Sequence, residues 1–280
     1  MLALLAGLFA SGARAEPAQA LSARFKDGLI FVDGEVNGAH GVFLLDTGAN
    51  KTVFSPPFAD RAFVRLGRAR DISGRGGDVD ARQGGPVGLT LTGGPHDWVE
   101  PVVFDLSRPS RAMGVALAGI VGADFLGRFV VTLDYRDQRV SLAREADDPP
   151  DATPLTVANA AYVEARVSLD RRVARGLFEI DTGSNTAVEF WRPFAKAAFG
   201  NAPNTTSAPG LGVAGASVAE NGRIDALEVA GRRIVSPLVN FADETSPNDD
   251  VPHYGGVIGG PAWSGLVVTL DLPHRLIWLR

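Results

Sequence analysis

The chain has 280 residues, a net charge of −5 and no cysteine. That length allows one large domain or two small ones. The mildly acidic balance with scattered arginines excludes a nucleic-acid binder, and the missing cysteine excludes disulfides, thiolate metal sites and a cysteine nucleophile.

Leu2 to Ala10 is an apolar run too short to cross a bilayer as a helix. Ala13-Arg14-Ala15 then carries the small-residue spacing of a signal-peptidase site, so residues 1–15 read as a signal peptide and Glu16 as the first mature residue. No Lys or Arg precedes the apolar run, so an anchor, a buried first element or a misread start in a cytoplasmic protein are the other readings. No later run is long enough to span a membrane, and a periplasmic or secreted location is expected.

The 33 glycines and 18 prolines, with few helix-period stretches, predict an all-β chain with many turns. Phe25 to Val36 reads as an interrupted strand, and Asn37-Gly38 as a hairpin turn. Gly41 to Leu45 is a continuous apolar strand that runs into Asp46-Thr47-Gly48-Ala49. Pro56-Pro57 should stop the next short strand, with a helix over residues 58–66. Residues 67–86 are rich in Gly, Arg and Asp and predict a mobile loop or a hairpin with a flexible tip. Strands follow at Val87–Leu91 and Trp98–Phe104, then Ile120-Val121-Gly122, a helical turn at Ala123–Leu126, and a hairpin from Phe129 to Leu142.

The acidic, proline-rich stretch at residues 147–154 reads as a linker between an N-terminal lobe, 16–146, and a C-terminal lobe, 155–280. The pattern then repeats. A strand at Tyr162–Leu169 and a turn at Arg171–Arg175 lead through an apolar run into Asp181-Thr182-Gly183-Ser184. An amphipathic helix near 191–199, a Gly/Ser/Pro-rich segment at 201–222 and strands at 224–229 and 233–239 follow. Val257-Ile258-Gly259 and a last hairpin ending at Leu279 complete the copy. Asp46 to Gly122 spans 76 residues and Asp181 to Gly259 spans 78, so the landmarks stay in register.

These residues resemble the aspartic peptidases, both the retropepsin-like and the two-lobed pepsin-like branches. In that family each lobe supplies one Asp-Thr/Ser-Gly and an apolar-apolar-Gly segment that crosses beneath it. The lobes are short for pepsins, so the chain looks like two fused retropepsin-like units of a bacterial exported type. The resemblance implies an all-β fold of two pseudo-symmetric barrel lobes with a cleft between them. It implies a polypeptide substrate bound in extended form, no metal or other cofactor, and a monomer.

It also implies roles. Asp46 and Asp181 form the catalytic pair, one ionised to activate water and one protonated toward the carbonyl, because two close carboxyls do not both ionise cheaply. Thr47 and Thr182 bond across to the opposite loop, while Gly48 and Gly183 permit close backbone approach. Ala49 and Ser184 make the lobes unequal: in pepsin-like members a hydroxyl at this position bonds the catalytic carboxylate, and the first lobe lacks it. That absence predicts an optimum near about pH 5–6. A flap is expected around Gly74, Gly76 and Gly77, with a counterpart at Ala208–Ala219, although neither holds the tyrosine of a pepsin-type flap.

Leu44 and Glu179 share strand faces with the aspartates that follow them and are candidate pocket residues. Glu179 either gives one subsite a carboxylate that favours Arg or Lys, or pairs with a nearby arginine such as Arg175 and has no role in the cleft. His40, His96, His253 and His274 read as isolated, without metal-ligand spacing. The competing reading for the whole chain is a non-catalytic peptide-binding or regulatory module on the same fold.

Overall fold

Turn chemistry sets the first hairpin of each lobe. The computed structural model describes residues 18–74, 77–200, 206–211, 216–242 and 253–280. The signal-peptide reading of residues 1–15 lies outside them. Strand Leu29–Val36 pairs with Ala39–Leu45 across Asn37 and Gly38, both in the left-handed region at φ 49° and 81°, as a tight two-residue hairpin requires. In the second lobe Ala161–Leu169 pairs with Arg172–Asp181 across Asp170 and Arg171, at φ 48° and 67°. The turn is therefore these two residues rather than Arg171–Arg175, and the following strand starts at Arg172. Its charged N-terminal half concealed it, since Arg172 to Arg175 lie largely toward solvent.

The two lobes repeat one strand order. In the first, Leu117–Val121 lies between Ala39–Leu45, to which it is parallel, and Val53–Phe54, to which it is antiparallel. Val102–Val103 pairs parallel with Val53–Phe54 and continues the sheet to the hairpin Leu66–Gly74 and Gly77–Gly84. In the second, Tyr254–Gly259 occupies the same place between Arg172–Asp181 and Val188–Trp191. Leu238–Ala242 then leads to the hairpin Thr206–Leu211 and Ala216–Arg223. Two curled ten-stranded sheets result, and the chain is an all-β protein of two lobes.

Proline explains two departures from expectation. The run read as one strand over Trp98–Phe104 is two, His96–Val99 and Val102–Val103, broken beside Pro101. The run at 233–239 divides in the same way, into Arg232–Val235 and Leu238–Ala242 around Ser236-Pro237. Pro56-Pro57 starts the helix Pro56–Arg61 instead of merely ending a strand, because the first helical turn has no use for its N–H groups.

A third sheet joins the lobes. Val130–Asp134 pairs antiparallel with Val267–Asp271, with Thr132 opposite Thr269 and their hydroxyls 3.2 Å apart. Each lobe adds two more strands on its own side, Arg139–Ala143 and Gln19–Ala20 in one, Leu276–Leu279 and Thr153–Pro154 in the other. Thr153–Pro154, assigned to the linker by sequence, thus already belongs to this sheet.

One apolar core runs through both lobes. Matched aromatic triads anchor it: Phe43, Phe54 and Phe58 in the first lobe, and Phe178, Phe190 and Phe194 in the second, with centroids 5.1–6.0 Å apart. Phe43 and Phe178 point into this core, so by strand alternation Leu44, Asp46, Glu179 and Asp181 take the opposite face.

Candidate active site

Each Asp-Thr-Gly loop is held from below by its apolar-apolar-Gly segment. Asp46 N donates to Val121 O (3.0 Å) and Ala123 N to Ala49 O (2.7 Å). In the second lobe Gly259 N donates to Ala187 O (3.1 Å) and Gly260 N to Ser184 O (3.1 Å). A Cβ on Gly122 would stand 2.6 Å from the carbonyl oxygens of Ala49 and Lys51, and one on Gly259 2.2 Å from Thr186 O. Only glycine fits at these crossings.

The loops then lock to each other through buried threonines. Thr47 Oγ1 donates to Ile180 O (2.5 Å) and accepts from Thr182 N (3.2 Å). Thr182 Oγ1 donates to Leu45 O (2.8 Å) and accepts from Thr47 N (3.1 Å). Both hydroxyls thus donate and accept across the lobe boundary, the exchange expected from the sequence.

This lock brings the two aspartates together. Asp46 Oδ1 accepts from the amides of Gly48 and Ala49, each at 2.9 Å, and Asp181 Oδ1 accepts from Gly183 N at 2.8 Å. Burial, the charge of Asp181 and a carboxyl–carboxyl hydrogen bond hold Asp46 well above the ordinary aspartate range, against the two amides. A methyl on Gly183 would stand 2.5 Å from Asp46 Cγ, and one on Gly48 2.8 Å from Asp181 Cγ. A pair so placed can hold one proton between two carboxyls, which is a base and an acid side by side.

Ser184 departs from expectation. Its Oγ accepts from Thr186 N at 3.3 Å and makes no bond to Asp181. The Ser184 amide goes to the Asp181 backbone carbonyl at 3.2 Å, whereas its counterpart Ala49 N bonds the carboxylate. Leu44 packs in a second apolar cluster with Phe31, Val53, Val102, Leu117 and Ile120. Gly74 and Gly77 close the hairpin of the first lobe as its last paired residues, and Gly76 lies outside the described residues.

Glu179 is 8% exposed, and the Tyr254 hydroxyl, not Arg175, donates to its Oε2 at 2.9 Å. Its Oε1 lies 3.0 Å from the position of a Cβ on Gly48, as does Asp181 Oδ1, so a third carboxyl borders the pair. Sequence reading missed what surrounds it. Glu189, Asn240, Tyr162 and Tyr254 are also buried on this side. Aligning Val53-Phe54 with Glu189-Phe190 would have shown the first of these. His274, read as isolated, has Nδ1 2.9 Å from the buried Asp271, and Asp148 joins them with ligand-type atoms all within 4.8 Å. The Asp271 carboxylate raises the His274 pKa through this hydrogen bond and its charge.

The geometry agrees with what comparison with known families finds. Residues 32–125 match the family model described as aspartyl protease. The match covers the first Asp-Thr-Gly and its Ile-Val-Gly crossing, and it supports an aspartic peptidase. No curated protein matches the chain. The second lobe lies beyond the matched residues, but it has the strand order of the lobe that matches the aspartyl proteases. Among the described residues no helix is long and apolar enough to cross a membrane.

Proposed function

We propose that the chain is an aspartic endopeptidase whose catalytic pair is Asp46 and Asp181. Water held between the carboxyls gives a proton to the ionised one as its oxygen attacks the peptide carbonyl. The protonated partner donates to the carbonyl oxygen, and the tetrahedral intermediate collapses as the amide nitrogen takes up a proton and the C–N bond breaks. Burial and the charge of Asp181 raise the Asp46 pKa, which supports one proton shared within the pair.

The observation that carries this reading is the reciprocal bonding of Thr47 and Thr182, which fixes two carboxyls against each other at the lobe boundary. Both halves of the site come from one chain, which supports a monomeric enzyme. The substrate is an extended polypeptide. With residues 1–15 as an export signal, the enzyme acts in the periplasm or outside the cell on exported or envelope proteins.

The test is cleavage of a denatured protein such as casein. Pepstatin-sensitive cleavage that is lost in both Asp46→Asn and Asp181→Asn is expected. A wild-type protein that binds the substrate but cleaves nothing between about pH 3 and 8 would replace this reading with the peptide-binding one.

A further inference from the structure

The second lobe leaves open a strip of sheet edge that the first lobe covers with its own chain. In the first lobe Ser22 N donates to Thr92 O (3.0 Å) and Asp33 N to Ser22 O (3.3 Å), and the Ser22 and Arg24 side chains bond the Asp33 carboxylate. Leu21 is buried beside them, and a Cβ on Gly94 would stand 2.1 Å from its Cδ2. Strand register makes Glu164 the counterpart of Asp33, and Val229 that of Leu91. Here the preceding chain takes another course. Thr156–Val157 pairs with Ala161 and Tyr162, and Leu155 N donates to Arg275 O (2.8 Å), which carries the chain away from Glu164. What remains beside Glu164 and the turn at Ala230-Gly231 is a groove of about 380 Å³.

Charge distinguishes this groove. Arg166, Arg175, Arg232 and Arg233 line it together with Glu164 and Glu228, an excess of positive charge in a chain whose net charge is −5. Register sets Arg175, Arg166, Glu228 and Arg233 in one row across four strands. Arg166 and Arg233 share the Glu228 carboxylate, one on each oxygen, and among the described residues Arg175 has no ion-pair partner. The corresponding first-lobe row is His40, Glu35, Thr90 and His96. There His40 lies 3.6 Å from Glu35, and Thr90 is hydrogen-bonded to His96. The first lobe thus has a complementary pair where the second sets two arginines directly opposite each other, and like charges so placed are unfavourable on a sheet. The fold does not require the arginines.

Groove and row together define an occupant. A guanidinium offers five N–H donors in a fork that matches a carboxylate, and two bonds to Glu228 leave most of these donors unused. Arg166 and Arg175 stand about 5 Å apart at Cα on neighbouring strands, so they suit carboxylates presented close together. A flat lipid surface does not enter a groove between a strand edge and a turn. An extended chain does, as Leu21 and Ser22 show in the first lobe.

We infer that the second-lobe groove is a docking site for an extended peptide segment rich in Asp and Glu. Its backbone lies beside Glu164 and the Ala230-Gly231 turn, where the first lobe has Leu21 and Ser22, and its carboxylates meet Arg166, Arg175 and Arg233. Arg175 and Asp181 lie on one strand, about 20 Å apart at the rise of an extended chain. The site is therefore separate from the carboxyl pair, and it does not depend on the peptidase reading.

A labelled peptide in which glutamates alternate with serines tests this against the same peptide with glutamine at every glutamate. Binding is read by fluorescence anisotropy on wild type and on Asp46→Asn protein, so that turnover of the probe does not enter. The glutamate peptide should bind at least about tenfold more tightly than its glutamine counterpart. Arg175→Gln has no ion pair to lose and should weaken the glutamate peptide severalfold while the fold stays intact. Adding Arg166→Gln should bring the two Kd values together, whereas His96→Gln in the first-lobe row should change neither. Equal binding of the two peptides by wild type overturns the site, and so does a preference for glutamate that survives the double variant. Phosphatidylglycerol vesicles form the last arm. Attachment to them that the double variant loses, with no preference between the peptides, would assign the arginines to a membrane surface and overturn the peptide site.

Discussion

Gly183 of the second lobe lies directly against the Asp46 carboxyl of the first, so that a methyl there would stand 2.5 Å from both Asp46 Cγ and Oδ2. Gly48 bears the mirror relation to Asp181. The glycine of each Asp-Thr-Gly is thus space reserved for the other lobe's aspartate. Gly183→Ala should push the Asp46 carboxyl aside and lower kcat by about a hundredfold or more, since a displacement of about 1 Å can cost that much. Overpacking should cost about 1–3 kcal/mol of stability, which leaves a folded protein for assay. Wild-type turnover in Gly183→Ala would show that the two lobes do not approach this closely.

The threonine exchange predicts a split between shape and hydrogen bonding. Thr47→Val keeps the branched shape but leaves Ile180 O and Thr182 N without their buried partner. Two unsatisfied groups should cost about 2–4 kcal/mol. Thr47→Ser, which restores the hydroxyl, should recover most of it. Urea unfolding of the three proteins measures this, and a valine variant as stable as wild type would mean that the exchange contributes no net stability.

Ser184 supplies a prediction of no change. Its hydroxyl oxygen faces Thr186 N rather than Asp181, so neither aspartate has a hydroxyl bonded to its carboxylate from this position. The pH–rate profile should therefore peak near about pH 5–6 and keep its position in Ser184→Ala. A shift of the acid limb in that variant would place the hydroxyl on Asp181 during turnover.

Much of this was legible in the sequence because its signals are local. Asn37-Gly38 can only be a tight turn, and the two Asp-Thr-Gly loops keep their spacing from Gly122 and Gly259. What stayed hidden depends on register between distant strands. Glu189 meets Val257 and Asn240 only because Tyr254–Gly259 inserts between two strands and Leu238–Ala242 joins the edge of one of them. No window of sequence shows that a glutamate at one position and an asparagine some fifty residues later form one row. Asp170-Arg171 failed for a different reason: neither residue is glycine, yet both take positive φ, so the turn carried no composition signal. Ser184 failed because residue type does not set the direction in which a hydroxyl points.

Asp46 also links stability to pH in a direction opposite to that of a salt-bridged aspartate. Its folded pKa is raised by burial first and by Asp181 second, so the native protein holds this proton where the unfolded chain, titrating near 3.8, has released it. Below that value both states are protonated and the group costs nothing. As pH rises from there through the folded pKa, the native state must either keep the proton or ionise a carboxyl buried beside another, and stability falls. Asp46→Asn has no proton to lose. Its Tm relative to wild type should therefore rise steadily from about pH 4 toward neutrality. Thermal melts at matched ionic strength across that range measure the difference. A gap that stays flat or narrows with rising pH would mean that Asp46 is ionised in the resting protein, and the proton of the pair would then belong to Asp181.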